Sequence, residues 1–411
     1  MSLPAPDRVA PPGKWITPVL LVAIAVQFFL FLSMAVIAPV MDVLVRQPFK
    51  LNNADAAWFL KANGVATILL SLAAGWWSDR TNRRIPFLVL SLAGTGLLTA
   101  CLPMIQSWPL LLSVRFLQGC FDTTAQVVLL AWLVDRTPLE FQGRSLGAVI
   151  GALPIAYMVG PALAAALGTA SLLMLFGLVG AGLLACAGFV ALQREGVRAD
   201  GKKEAPPAAP MKWGPLVIPI LFGMVDKFTF AGFALLTAPM VRDKFAGDSV
   251  EGAGILLAGF WAAFFVGLYP AVKMTERVGP PLMMGVGSIL YGIVFALIGR
   301  LDFGGIMVAM AFCGILSGVM HLPALMMVGR FATEGNRGAA MGAFNLMGTL
   351  GMVIGFAVMG RLSDKSYALA WGVGGALEII AGSLLCLLMA FGVTMGRRRG
   401  SFVTQGGPRV P

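Results

Sequence analysis

The chain has 411 residues, 58% of them hydrophobic and only 12% charged, where soluble domains carry roughly 25% charged residues; mean hydropathy is +0.86. That balance excludes a water-soluble globule. The formal charge of +11 raises nucleic acid as a partner, but the basic residues crowd short connections between apolar stretches, which is a membrane-topology pattern, and no nucleic-acid partner is expected.

Twelve apolar stretches follow one another along the chain, near 16–43, 55–77, 86–103, 107–134, 144–168, 170–192, 214–240, 251–272, 279–299, 304–329, 337–361 and 368–395. Each is long enough to cross a hydrocarbon core of about 30 Å as a helix. The 51 glycines and 25 prolines suit helices that approach closely in lipid, where proline is tolerated. The predicted fold class is an all-α polytopic membrane protein with twelve transmembrane helices in two six-helix halves. The opening residues lack a basic run, a short apolar core and a small-residue cleavage site, so the first stretch is expected to stay as an anchor.

With the N-terminus inside, twenty Lys and Arg fall on inner segments and eight on outer ones. This bias puts both termini on the cytoplasmic side of the cell (inner) membrane, with anionic lipid as a partner of the basic loops. The run from Arg194 to Lys212 is charged and rich in Pro and Ala, and reads as a flexible linker. The expected layout is residues 1–193 as an N-terminal half, 194–213 as a cytoplasmic linker, 214–396 as a C-terminal half and 397–411 as a cytoplasmic tail.

Equal halves invite a search for a repeat. A shift of 195 residues lays Gly119 on Gly314, Gly147 on Gly342 and Gly160 on Gly355; a shift of 200 lays Phe28 on Phe228 and Pro39 on Pro239. The same shifts place Gln126 on His321 and Gln27 on Lys227. Together they point to duplicated halves in parallel orientation. Cys101, Cys120, Cys186, Cys313 and Cys386 all lie in apolar spans without disulfide or metal spacing. No metal and no cofactor are expected.

Several motifs then resemble a known family. Gly75-Trp-Trp-Ser-Asp79-Arg80-Thr-Asn-Arg83-Arg84, between the second and third stretches, resembles the G-x-x-x-D-R-x-x-R-R loop of the major facilitator superfamily. Arg115-Phe-Leu-Gln-Gly in the fourth is similar to its R-x-x-Q-G element, and Arg337-Gly338 to the R-G before its eleventh helix. Gly160-Pro161 resembles the G-P-x-x-G-G element of the proton-coupled drug antiporter branch, with Ala164 and Ala165 in place of its last glycines. The resemblance implies a central cavity lined by the first, fourth, seventh and tenth helices. It also implies a conformational latch at Gly75, Asp79, Arg80, Arg83, Arg84 and Arg337. Asp79 would sit at the unpaired N–H groups that begin the eleventh helix.

Ionisable groups at membrane depth are costly unless paired or wet, so they are the functional candidates. Arg115 and Asp122 lie seven residues apart, on one helix face about 10 Å apart along the axis. Asp226 and Lys227 are central in the seventh stretch, Glu378 in the twelfth, and His321 in the tenth. With Gln126 and Gln27 they form the predicted proton and substrate set. Arg115–Asp122 is expected to pair, and Glu378 to tuck against Ser383 or a backbone carbonyl. Phe28, Phe29, Phe31, Phe228, Phe230 and Phe233 form an aromatic set for packing, lipid contact or an apolar substrate site.

The function expected from this set is secondary active transport by alternating access, with protons as the coupling ion and a small molecule as substrate. The leading form is efflux of an amphipathic organic compound; the alternatives are proton-linked uptake or export of a polar metabolite, and a non-transporting receptor or channel. Nothing resembles an enzyme's catalytic cluster, and the chain is expected to act as a monomer.

Overall fold

The computed structural model describes residues 16–81, 83–168, 171–193, 213–245, 249–331 and 337–390. Among these no strand occurs, and the chain forms twelve long helices. They are α1 (Pro18–Arg46), α2 (Asn53–Thr81), α3 (Ile85–Cys101), α4 (Trp108–Arg136), α5 (Phe141–Leu167) and α6 (Leu172–Ala191) in one half. The other half holds α7 (Trp213–Phe245), α8 (Ser249–Val278), α9 (Pro280–Leu297), α10 (Phe303–Phe331), α11 (Arg337–Ser363) and α12 (Tyr367–Ala390). Eleven are long and apolar enough to cross a membrane; α2, at 29 residues, has the length to do so at 1.5 Å per residue.

Helix ends follow local chemistry. Thr17 accepts from the Leu20 N–H at 3.2 Å and precedes Pro18; Asn52 caps α2 through the Asp55 N–H at 2.7 Å; Ser171 caps α6; Asp302 caps α10. In each case a short polar side chain satisfies an N–H that the first turn leaves unpaired. α9 follows Gly279, at φ 91°, and starts on Pro280, whose missing N–H costs nothing at that position. α1 breaks at Val36 and ends in a wider turn over Asp42–Arg46, which rotates Asp42 inward. α5 breaks at Gly151, beside Ile150, whose carbonyl would need the N–H that Pro154 lacks.

The two halves repeat their internal contacts. α3 meets α6 where a Cβ on Gly96 would stand 2.9 Å from the Gly180 carbonyl, and α9 meets α12 where one on Gly292 would stand 2.5 Å from that of Gly375. Gly160 abuts Ala35, and its equivalent Gly355 abuts Phe228 and Ala231. Only glycine lets these backbones approach so closely.

Between halves, α2 packs on α11 and α5 on α8. Among the described residues the polar contacts across this seam gather at one end of the bundle, which we name the Asp42 face. Arg46 bonds both carboxylate oxygens of Asp243, at 3.0 and 2.8 Å. Asp42 is fully buried and receives Arg242 at 3.2 Å and Ser249 at 3.3 Å from the other half, and Gln47 and Arg46 from its own. Asp364, just past α11, accepts the first N–H groups of α2, from Asn53 at 2.8 Å and Ala54 at 3.1 Å. Tyr367 joins by donating to Asp243 at 2.7 Å. The opposite end, which we name the Arg84 face, shows an ion pair within one half, Arg84 to Asp135 at 3.1 Å.

Candidate functional site

Beneath the Asp42 face lies a cavity on the seam, with about 600 Å³ of non-atom space, part of it open to the bulk. α1 contributes Met34 and Ala38, α2 Asn63, α4 Arg115, α5 Tyr157 and Pro161, α7 Phe230, α8 Trp261, and α11 Met352 and Phe356. The expected first, fourth and seventh helices are present. α10 is not among the walls described, because at this closed end α2, α5, α8 and α11 cross the seam and form the roof.

Aromatic rings make the apolar wall. Tyr157 stacks on Trp261 at 4.6 Å across the α5–α8 contact, and Phe230 stands edge-on to both, at 6.0 and 5.9 Å. Of the aromatic set, Phe230 reaches the cavity, whereas Phe233 is buried against Phe260, Phe295 and Trp371. Tyr157 was missed by sequence reasoning, since a lone tyrosine on an apolar helix carries no periodic signal.

Among the described residues Arg115 is the one charged side chain of this wall. It is held by the Gln118 side-chain oxygen at 2.7 Å, which also explains the spacing of the R-x-x-Q-G element, and Gln118 in turn donates to Thr99 at 2.8 Å. The guanidinium contacts Met34 Sδ at 3.5 Å and lies 5.0 Å over Phe59, a cation–π contact. Its Nε has no hydrogen-bond partner.

Asp122 and Arg115 are electrostatic neighbours without a direct bond. Among the described residues no ion pair joins them; seven residues bring the two onto one face but leave them two turns apart. Asp122 instead receives Asn63 at 3.4 Å, with its other oxygen unpartnered. Since Asn63 also lines the cavity, Asp122 stands one side chain behind its wall. Gln126 is half-buried on the same helix, and Gln27 is buried with its side-chain oxygen unpartnered.

In the second half, Asp226 and Lys227 are half-buried. Asp226, Phe230 and Ala234 are four residues apart, hence on one face of α7, and the last two line the cavity. Lys227 places its Nζ 5.4 Å over Phe230 and is an electrostatic neighbour of His321. His321 packs edge-on to Phe264 at 5.7 Å. Glu378 is fully buried inside this half rather than in the cavity wall. Its partners are Thr229, at 3.2 Å, and Ser288, not Ser383.

The latch residues are described only in part. Arg83 is exposed and Arg84 is bonded to Asp135; the side chains of Gly75, Asp79, Arg80 and Arg337 lie outside the described residues. Pro161 lines the cavity, and its carbonyl would meet a Cβ at Gly254 of α8 at 2.6 Å. The Gly160-Pro161 element thus sits at the seam itself.

A model of the Major Facilitator Superfamily matches residues 23–242 and 220–402, nearly the whole helical chain. The chain belongs to the Major Facilitator Superfamily. Its fold is shared with a bacterial homolog of the human lysosomal transporter Spinster, solved in an inward-facing and occupied conformation, at TM-score 0.77 and 15% identity over 90% of this chain and 96% of that one. A D-xylose-proton symporter superposes at TM-score 0.75 and 12% identity, over 90% and 97% of the two chains. In sequence, monocarboxylate transporter 12 of Rattus norvegicus is 33% identical over 119 residues, 28% of this chain and 24% of that protein. That match spans about a quarter of the relative's length. Family and fold are those of transporters, and this superfamily member is a multi-pass membrane protein.

Proposed function

We propose that the chain is a proton-coupled secondary transporter working by alternating access, and that its cargo is an amphipathic organic compound bearing an anionic group. The cavity carries this reading: an aromatic and thioether wall with a single guanidinium, Arg115, whose Nε is unpartnered. The rings would bury the apolar body of the cargo, while the guanidinium offers charge-assisted hydrogen bonds to a carboxylate. Export by proton exchange is supported by Gly160-Pro161 at the α5–α8 seam. With the Arg84 face cytoplasmic, as the basic bias of the sequence has it, the Asp42-face contacts close the seam on the outer side.

A second reading, proton-linked movement of a small polar carboxylate, is favoured by the Arg115, Asn63 and Tyr157 polar groups together and by the partial likeness to a monocarboxylate transporter. Proteoliposomes loaded with a panel of aromatic and short aliphatic carboxylates, under pH gradients of either sign, separate the two. Aromatic carboxylates leaving against a proton influx support export. Movement of the short acids together with protons supports the second reading, and linear, unsaturable flux of every probe would overturn both.

A further inference from the structure

Behind the cavity, the C-terminal half buries a polar cluster between its helices. Glu378 of α12 lies there with Thr229 of α7 and Ser288 and Tyr291 of α9. Asp226 and Cys313 are its other electrostatic neighbours, from α7 and α10. α11 carries its arginines, Arg337 and Arg361, at its two ends. Among the described residues no cation pairs with Glu378.

The hydroxyl hydrogens of this cluster have more than one place to go. The Ser288 hydroxyl has one hydrogen and faces two acceptors of the same residue, the Glu378 backbone carbonyl at 2.9 Å and, closer, its carboxyl oxygen Oε2. The Thr229 hydroxyl also has one, and its shortest contact is the Asp226 backbone carbonyl at 2.9 Å, against 3.2 Å to the Glu378 carboxyl. Tyr291 spends its own on Thr229, at 3.4 Å. A fully buried carboxyl with no cation paired to it among the described residues is costly as a carboxylate, and each hydroxyl beside it also has a backbone carbonyl to donate to, so the two can serve the carboxyl as donors when it is ionised and as acceptors when it carries a proton.

We propose that Glu378 is a proton-carrying group of the transport cycle, with Thr229 and Ser288 as its hydroxyl switches and Asp226 as its outlet to the cavity. The inference rests on the proton-coupled reading above. In the release step the Glu378 O–H bond breaks and the proton passes to water reaching Asp226, which shares a helix face with the cavity residues Phe230 and Ala234. The Ser288 and Thr229 hydroxyls then turn to the new carboxylate and leave the carbonyls of Glu378 and Asp226. Protonation is thereby tied to the backbone hydrogen bonding of α12 and of α7, the helix that also lines the cargo site.

The test uses the reconstituted full chain. Infrared spectroscopy reads the carbonyl stretch of a protonated carboxyl as pH is changed, and proton influx is followed with the carboxylate panel. The expected result is a titrating band that is lost in Glu378→Gln and shifted in Ser288→Ala, with probe-linked proton influx falling at least tenfold in Glu378→Gln. A band that survives Glu378→Gln, or no titrating band in the wild type, overturns the assignment. If Glu378→Gln fails to fold, Ser288→Ala decides: an unshifted band means the carboxyl is elsewhere. Wild-type influx unchanged in a folded Glu378→Gln removes the carrier role while leaving proton coupling intact. No influx in the wild type with the Glu378 band in place instead overturns proton coupling itself, and the carrier role with it.

Discussion

Arg115 shows how one side chain can set the chemistry of a site. A guanidinium buried in an apolar wall is costly unless its donors are used. Here Gln118, Met34 and the Phe59 ring hold its terminal nitrogens and plane while Nε is left without a partner. Arg115→Gln is therefore expected to weaken binding of aromatic carboxylates by about tenfold to a hundredfold, the 1.5–3 kcal/mol typical of a hydrogen bond to a charged group. Neutral analogues of the same shape should lose little; calorimetry on the purified protein compares the two, and an equal loss for both would make Arg115 a packing residue. Asp226 belongs to the coupling side. Asp226→Asn keeps the shape of the side chain but cannot exchange a proton. It should abolish accumulation driven by a pH gradient while sparing exchange of labelled for unlabelled probe, and gradient-driven accumulation at the wild-type level would remove Asp226 from the route. The residue types and depths of these groups were legible in the sequence, because an ionisable side chain inside an apolar stretch stands out. Their direct partners were not: Asn63, Thr229 and Ser288 are unremarkable polar residues until three helices converge, which is why a direct bond to Arg115 was expected for Asp122, and Ser383 or a backbone carbonyl for Glu378.

Whole helices were more legible than partners. A hydropathy run of membrane length leaves little freedom, and the expected 16–43 and 55–77 correspond to Pro18–Arg46 and Asn53–Thr81. The differences come from end chemistry that hydropathy does not see, such as the Asn52 cap and the charged turn at Asp42–Arg46. The repeat was legible as well, and its structural meaning is clear at α9 and α12. Gly292 faces the Gly375 carbonyl one turn from Ser288 and so sets the distance at which Ser288 reaches Glu378. Gly292→Val should force these helices apart, destabilise the protein by a few kcal/mol as overpacking typically does, and displace the Glu378 infrared band as Ser288→Ala does. A stable Gly292→Val protein with an unchanged band would show that the close approach is dispensable. The ion pairs of the Asp42 face are weaker elements. Arg46 and Asp243 are bidentate but partly exposed, so a double-mutant cycle with Arg46→Ala and Asp243→Ala should give a coupling of about 0.5–1 kcal/mol. A coupling near zero would leave closure of this face to Asp42 and Asp364. The 200-residue shift lays Asp42 on Arg242, a charge reversal that becomes meaningful only when the two are seen bonded across the seam at 3.2 Å.

For the molecule as a whole, the decisive feature is that a carboxylate of one half caps a helix of the other. Asp364 takes the first two N–H groups of α2, which are unpaired by helix geometry and carry the positive end of its dipole. The Asp79 motif proposes the mirror arrangement at the Arg84 face, a carboxylate in the last turn of α2 meeting the start of α11. The same two helices would then be tied alternately, α2 capped from α11 at one face and α11 capped from α2 at the other, and an alternating-access cycle cannot hold both ties at once. Removing either should tip the balance toward opening at its own face. Asp364→Asn is expected to open the Asp42 face and Asp79→Asn the Arg84 face; a cap is worth about 1 kcal/mol, and 1.4 kcal/mol changes the population ratio tenfold. Distances between spin labels placed across each face in the full chain measure both populations directly. The double variant should return toward the wild-type ratio, because the two losses act on opposite states and are far enough apart to add. Cargo affinity, corrected for the population of the competent state, should stay the same in all three, since Arg115 and the aromatic wall are untouched. Shifts in the same direction, or a double variant that drifts further than either single one, would mean that the caps stabilise the fold as a whole rather than opposing faces of it.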